Sequence, residues 1–123
     1  MKKEVINKYF NAWVKKDISM IENLFSEDCV YSECFGEEYH GEKQILRWFS
    51  DWNRSGSILE WSAKRVFEFE NTMIVESFFK CFVEREFACD AISVFRFNDD
   101  GKICEVREYW SKLEHHCPYG ETK

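Results

Sequence analysis

Hydrophobic positions near the start of the chain recur at helical steps. Val5, Ile6, Tyr9, Phe10, Trp13 and Val14 form one apolar stripe, with Lys8, Lys15 and Lys16 on the far side or at its end. Asp17 is placed to cap a short second helix that turns Ile18, Ile21, Leu24 and Phe25 inward and closes at Ser26-Glu27-Asp28. A third helix follows Gly41, with Ile45, Trp48, Phe49 and Trp52 as its stripe, Glu42 suiting its positive end and Asn53-Arg54-Ser55-Gly56 stopping it. Between these two helices Cys29 to Phe35 reads as a short strand, ended by the turn Gly36-Glu37-Glu38. After Gly56 the period changes to two: Leu59, Trp61, Ala63, Phe67 and Phe69 alternate with Glu60, Ser62, Lys64, Glu68 and Glu70. Asn71-Thr72 predicts a turn. Met73 to Val83 has few charges and predicts a strand buried on both faces. Phe87 to Phe97, the turn Asn98-Asp99-Asp100-Gly101 and Ile103 to Trp110 complete a meander.

Helices gathered in the N-terminal half, followed by long antiparallel strands, predict an α+β domain. A curved antiparallel sheet with three helices on its concave side makes a cone around a cavity, the kind of place where a small molecule binds. The length of 123 residues fits one domain. Residues 1–113 carry the pattern, and 114–123 read as a polar, irregular tail.

Charge narrows the partners. Lys and Arg total 17 against 23 Asp and Glu, a net charge of −6, which argues against binding nucleic acid or anionic lipid. No stretch is long and apolar enough to predict a membrane span. Asn7, Lys8 and Asn11 interrupt the apolar run that a signal peptide needs. The six cysteines (29, 34, 81, 89, 104 and 117) include no C-x-x-C pair, and most fall inside apolar strand patterns, where a free thiol behaves as a small hydrophobe. Reduced cysteines and a cytoplasmic location are therefore expected. His115-His116-Cys117 has metal-ligand residue types, but neighbouring residues seldom point to one site, and no metal or cofactor is expected. His40 reads as a loop residue before the third helix. No G-x-S-x-G, G-x-G-x-x-G or P-loop occurs.

Several segments occur together in a telling order: Val5-Ile6-Asn7-Lys8-Tyr9-Phe10-Asn11-Ala12-Trp13, then Leu24 to Tyr31, then Tyr39-His40-Gly41-Glu42-Lys43-Gln44-Ile45, then Ser93 to Ile103 running on to Arg107-Glu108-Tyr109-Trp110. In order and spacing they resemble the nuclear transport factor 2-like (cystatin-like) superfamily, and within it the SnoaL-like branch of polyketide cyclase-like proteins. The superfamily also holds ketosteroid isomerase and limonene epoxide hydrolase. The resemblance implies the cone fold far more than any one activity. It also shows departures. Where limonene epoxide hydrolase has Arg-x-Asp, this chain reads Glu76-Ser77-Phe78-Phe79. The Tyr-x-Asn motif appears as Tyr31-Ser32-Glu33, the last-strand acid persists as Glu108, and the two pocket aspartates of ketosteroid isomerase find no counterpart.

Alternation puts Tyr31 and Glu33 on one face of the first strand, and the resemblance turns that face, and Glu108 with Val106 and Trp110, toward the cavity. A carboxylate among apolar walls has its pKa raised, so it can give or take a proton near neutrality. Tyr31 is then a donor to a developing enolate. The competing reading makes Glu33 or Glu108 a structural ion pair with Arg47, Arg65 or Arg107. Asp90 is a further acid. Strict alternation sends it outward with Ile92 and Val94, whereas a bulge would turn it into the cavity. Tyr9, Trp13, Trp52, Ser77, Phe79 and Trp110 are the expected ligand-binding wall. The activity implied is isomerisation, cyclisation or dehydration of an apolar carbonyl compound, with a non-catalytic binding or dimerisation module as the alternative. Ile74, Phe78, Phe82, Ile92 and Val94 share the opposite sheet face, which predicts a homodimer.

Overall fold

The computed structural model describes residues 2–120. Helix α1 (Lys2–Lys15) buries Ile6, Tyr9, Phe10, Ala12 and Trp13, the stripe seen in the sequence. Strand β1 (Phe25–Ser32) pairs with the short β2 (Glu38–His40), which leads into helix α2 (Gly41–Ser55). Four long strands follow: β3 (Ser57–Phe69), β4 (Thr72–Val83), β5 (Arg85–Phe97) and β6 (Ile103–Ser111). All six strands form one sheet in the order β2-β1-β6-β5-β4-β3. Neighbours are antiparallel except β1 and β6, which run parallel. The sheet is therefore mixed and not wholly antiparallel. Lys112–Gly120 are exposed and irregular.

Two α-helices, not three, accompany the sheet. The expected second helix is reduced to a single 3-10 turn at Ile18–Met20, capped by the Asp17 side chain on Ser19 N. Asn23 adopts a positive φ of 69°, and the Leu24 carbonyl accepts a hydrogen bond from Ile103 N at 2.8 Å. Pairing with β6 thus takes Phe25 into the sheet, and its ladder bonds outweigh a weak local helical preference.

Strand β3 departs from simple alternation for an identifiable reason. Register shifts fall between Ile58 and Glu60 and between Ala63 and Arg65. Each inserts an extra residue and flips the faces. Ile58, Trp61 and Val66 therefore point inward, and Phe67 and Phe69 are exposed. Strand β4 is covered on one face only. Met73, Val75, Ser77 and Cys81 are buried on the inner face, while Ile74 and Phe82 on the outer face are exposed, which corrects the expectation of burial on both sides.

Gly41 opens α2 with φ +84°, and a Cβ there would stand 2.7 Å from the Glu27 carbonyl oxygen. Only glycine allows α2 to start this close to β1. That start sets the angle at which Trp48 and Trp52 reach the interior. Among the described residues no helix is long and apolar enough to cross a membrane.

Candidate functional site

A cavity of about 300 Å³ lies between the two helices and the inner face of the sheet. Its walls are aromatic: Trp13 from α1, Trp48 and Trp52 from α2, Trp61 from β3, Phe79 from β4 and Trp110 from β6. Trp13 meets Trp48 at 4.9 Å and Trp52 at 5.6 Å between ring centroids, the latter pair nearly perpendicular at 84°. Trp61 and Phe79 meet at 5.4 Å and 86°. Tyr109 and Trp110, both exposed, are at the mouth.

Three polar side chains from the end of β1 and from β6 reach this apolar space: Tyr31, Glu33 and Glu108. Parallel pairing sets Tyr31 beside Val106 and Ser32 beside Arg107, which brings the ends of these strands together. Tyr9 Oη donates to Tyr31 Oη at 2.6 Å, and Tyr31 Oη donates to Glu108 Oε2 at 2.7 Å. This relay runs from fully buried Tyr9 to the cavity surface. Burial pushes the Glu108 carboxyl up to about 8, the Tyr31 hydrogen bond opposes the rise and the nearby Glu33 charge adds to it. Protein surrounds the carboxyl, and its remaining contact is with the cavity. Burial also lifts Glu33 above the ordinary carboxylate range, against a hydrogen bond that Tyr39 Oη donates to Glu33 Oε2 at 2.7 Å. Tyr39 in turn stacks on Trp48, with centroids 4.4 Å apart and 14° between planes.

The ion-pair alternative does not describe these acids. Arg65 is paired with Glu76 and Arg47 lies near Asp51. Among the described residues no cation is within salt-bridge distance of Glu33 or Glu108.

The expected site residues separate into three groups. Tyr31, Glu33, Glu108, Trp13, Trp52, Phe79 and Trp110 line the cavity. Tyr9 and Ser77 lie behind the wall: Tyr9 bonds Tyr31, and Ser77 Oγ accepts from Trp61 Nε1 at 3.1 Å. Asp90 is outside. Strands β4 and β5 pair without a bulge, so alternation turns it to the outer face, where it bonds Lys64 Nζ. Tyr31 is also placed differently from its expected role, since its proton is directed at Glu108.

Sequence reasoning passed over Cys34 and Cys81 as lining residues. Cys34, Cys81 and Cys89 line the cavity, and burial raises all three, Cys34 and Cys89 to about 11, so they are protonated and contribute apolar surface. It also missed the support that Tyr39 gives Glu33. The period-two pattern around Cys81 and Cys89 marks their inward direction, but no local signal reports that Cys34 and Tyr39 approach the same space. Among the described residues no cluster of His, Cys, Asp and Glu is arranged to hold a metal.

A two-helix, six-stranded α+β domain with a cavity between its layers belongs to the nuclear transport factor 2-like class of folds. The sequence profile described as "SnoaL-like domain" matches residues 6–106, and the chain is a member of that family. No curated protein sequence matches it. Solved structures with the same fold include an LEH-like epoxide hydrolase from M. tuberculosis (16% identity, 88% of this chain and 80% of that one, TM-score 0.79). A proposed polyketide cyclase from Pseudomonas putida KT2440 has 18% identity over 90% of this chain and 92% of its own, with TM-score 0.78. A ketosteroid isomerase-like fold from Catenulispora acidiphila, solved in complex with trimethylamine, has 16% identity over 89% and 86%, with TM-score 0.78. At such identities the likeness concerns the fold.

Proposed function

We propose that this protein binds a small, mostly apolar carbonyl compound and moves protons on it, as an isomerase, cyclase or dehydratase does. One observation carries the reading: one apolar cavity holds two carboxyls in different surroundings, Glu108 bonded by the Tyr31 hydroxyl and Glu33 by the Tyr39 hydroxyl. Glu108 is surrounded, and its proton is retained up to about pH 8. Burial raises Glu33 above the ordinary carboxylate range, and the hydrogen bond from the Tyr39 hydroxyl opposes that rise and favours its ionised form. Such a pair divides acid from base. Glu33 removes a proton from the carbon beside the carbonyl, and the C–H electron pair moves into the forming enol. Glu108 gives its proton to the carbonyl oxygen, and reprotonation at another carbon, or loss of a β-hydroxyl as water, completes the turnover without redox change. Tyr31 and Tyr9 hold the Glu108 carboxyl in place. The named fold neighbours, an epoxide hydrolase and a proposed cyclase, support a reaction site in a cavity of this kind.

Deuterium exchange at the α-carbon of small cyclic ketones, followed by NMR in heavy water, tests this. Catalysed exchange is expected, falling above pH 8 as Glu108 loses its proton. Glu33→Gln is expected to slow it on the order of a hundredfold. Exchange no faster than in buffer, or undiminished in Glu33→Gln, refutes the catalytic reading and leaves binding alone.

We also propose a homodimer, in a cytoplasmic setting, through the outer face of the sheet. Phe67, Ile74 and Val94 are register partners across β3, β4 and β5, and Ile74 (39%), Phe82 (47%) and Ile92 (41%) are exposed together on that face. Sedimentation at micromolar concentration is expected to give twice the chain mass, and Ile92→Lys to give a monomer. A monomeric wild type refutes the interface.

A further inference from the structure

The charge balance inside the cavity is one-sided. All five tryptophans of the chain line it, with Phe35, Phe79 and Phe87. Two carboxyls enter it, while no lysine, arginine or histidine is among its lining residues. Apolar packing alone explains the rings but not the acids, because a carboxylate in an apolar space is costly without a counter-charge. A neutral ligand that filled the cavity would leave Glu33 with its Tyr39 hydrogen bond but without a counter-charge. Aromatic rings set at steep angles to one another suit a different occupant. The near-perpendicular pairs Trp13–Trp52 and Trp61–Phe79, with Phe87–Trp110 at 67°, turn π surfaces in several directions around one space. Ring faces attract positive charge, most strongly at tryptophan and where water is excluded.

We propose that the ligand is an organic cation: a carbonyl compound bearing a methylated ammonium group, enclosed by Trp48, Trp52, Trp61 and Trp110 and faced by Glu33 and Glu108. This rests on the acid–base reading and narrows its substrate class. A quaternary ammonium spreads its charge over methyl groups, so it needs no hydrogen-bond acceptor and tolerates apolar walls. Placed near the carbonyl, the positive charge also acidifies the adjacent C–H bond and stabilises the enolate.

Binding of a cation must favour the ionised form of the acids it faces. The groups around Glu108 are Tyr31 on β1, Glu33 and Cys34 after it, Tyr39 on β2, Cys89 on β5 and Tyr9 on α1, none of them basic. Cation affinity is therefore expected to rise as pH increases through about 8, and binding below that pH is expected to release a proton.

Isothermal titration of the full chain with choline and with its neutral isostere 3,3-dimethylbutan-1-ol separates charge from shape. Choline is expected to bind about tenfold more tightly at pH 9, with the margin falling to a few-fold at pH 6. Glu108→Gln is expected to flatten that pH dependence. Equal affinities, or tighter binding of the alcohol, overturn the cationic assignment and leave the acid–base reading standing. Binding of neither overturns the cationic assignment, and the exchange assay then decides the acid–base reading on its own. The comparison uses the unaltered protein, so it holds even where a variant fails to fold.

Discussion

Glu108→Gln is expected to raise stability at neutral and alkaline pH and to change it little near pH 4. The folded carboxyl keeps its proton up to about pH 8, whereas an unfolded one releases it near 4.5. Across that window the folded state binds more protons, so stability falls as pH rises. The contribution is complete below 4.5 and lost above about 8. Each pH unit within the window costs about 1.4 kcal/mol. Between pH 6 and 8.5 the wild type is expected to lose roughly 2 to 3 kcal/mol, out of a total of the order of 5 kcal/mol. The introduced glutamine amide fills the same space without a charge to bury and still accepts the Tyr31 hydrogen bond through its carbonyl oxygen. Urea denaturation at a series of pH values checks this. Wild-type and variant curves that run parallel from pH 5 to 8.5 would show that Glu108 is an ordinary solvated acid.

The same measurement bears on function. A carboxyl held in a space that disfavours its charge lowers stability over the pH range in which proteins work. Replacing it with an amide would relieve that cost, and nothing in the packing prevents the replacement. An acid kept there at the expense of stability is the pattern expected of a group retained for chemistry.

How much of this was legible in the sequence depended on whether the governing contact was local. The α1 stripe from Ile6 to Trp13 and the meander from β3 to β6 follow from periodicity, since each residue's direction is set by its near neighbours. Alternation also indicated the outward direction of Asp90, because β4 and β5 pair without a shift. Local reasoning failed where pairing partners lie far along the chain. Phe25 fits a helical stripe as well as a strand, and only Ile103, remote in sequence, draws it into the sheet. The second bulge in β3, between Ala63 and Arg65, reverses the faces of Phe67 and Phe69 relative to Trp61, without a glycine or proline to announce it. In the cavity, Tyr31, Glu33 and Glu108 were readable by alternation combined with family resemblance. The hydroxyl relay was not, since Tyr9 reads only as one more apolar position on α1, and its bond to Tyr31 depends on how α1 packs over the sheet.

That relay carries the second large effect. Tyr31→Phe is expected to cost about 2 kcal/mol at pH 6 and roughly twice that at pH 9. The lost hydroxyl accepts from Tyr9 and donates to Glu108, so one substitution leaves a fully buried donor without an acceptor and a surrounded acid without its donor. The first loss is independent of pH. The second is small while Glu108 is protonated and larger once it is charged, because hydrogen bonds to charged groups are the stronger ones. Without the Tyr31 bond, which holds its pKa down, Glu108 is expected to keep its proton to still higher pH. The falling limb of the stability profile should then extend further into alkali than in the wild type. Tyr9→Phe removes the stranded donor, so the double variant Tyr9→Phe/Tyr31→Phe is expected to be more stable than Tyr31→Phe alone. Denaturation of the two single variants and the double at pH 6 and pH 9 closes the cycle. Single-variant costs that simply add would show that Tyr9, Tyr31 and Glu108 act as separate packing residues, not as one hydrogen-bonded unit.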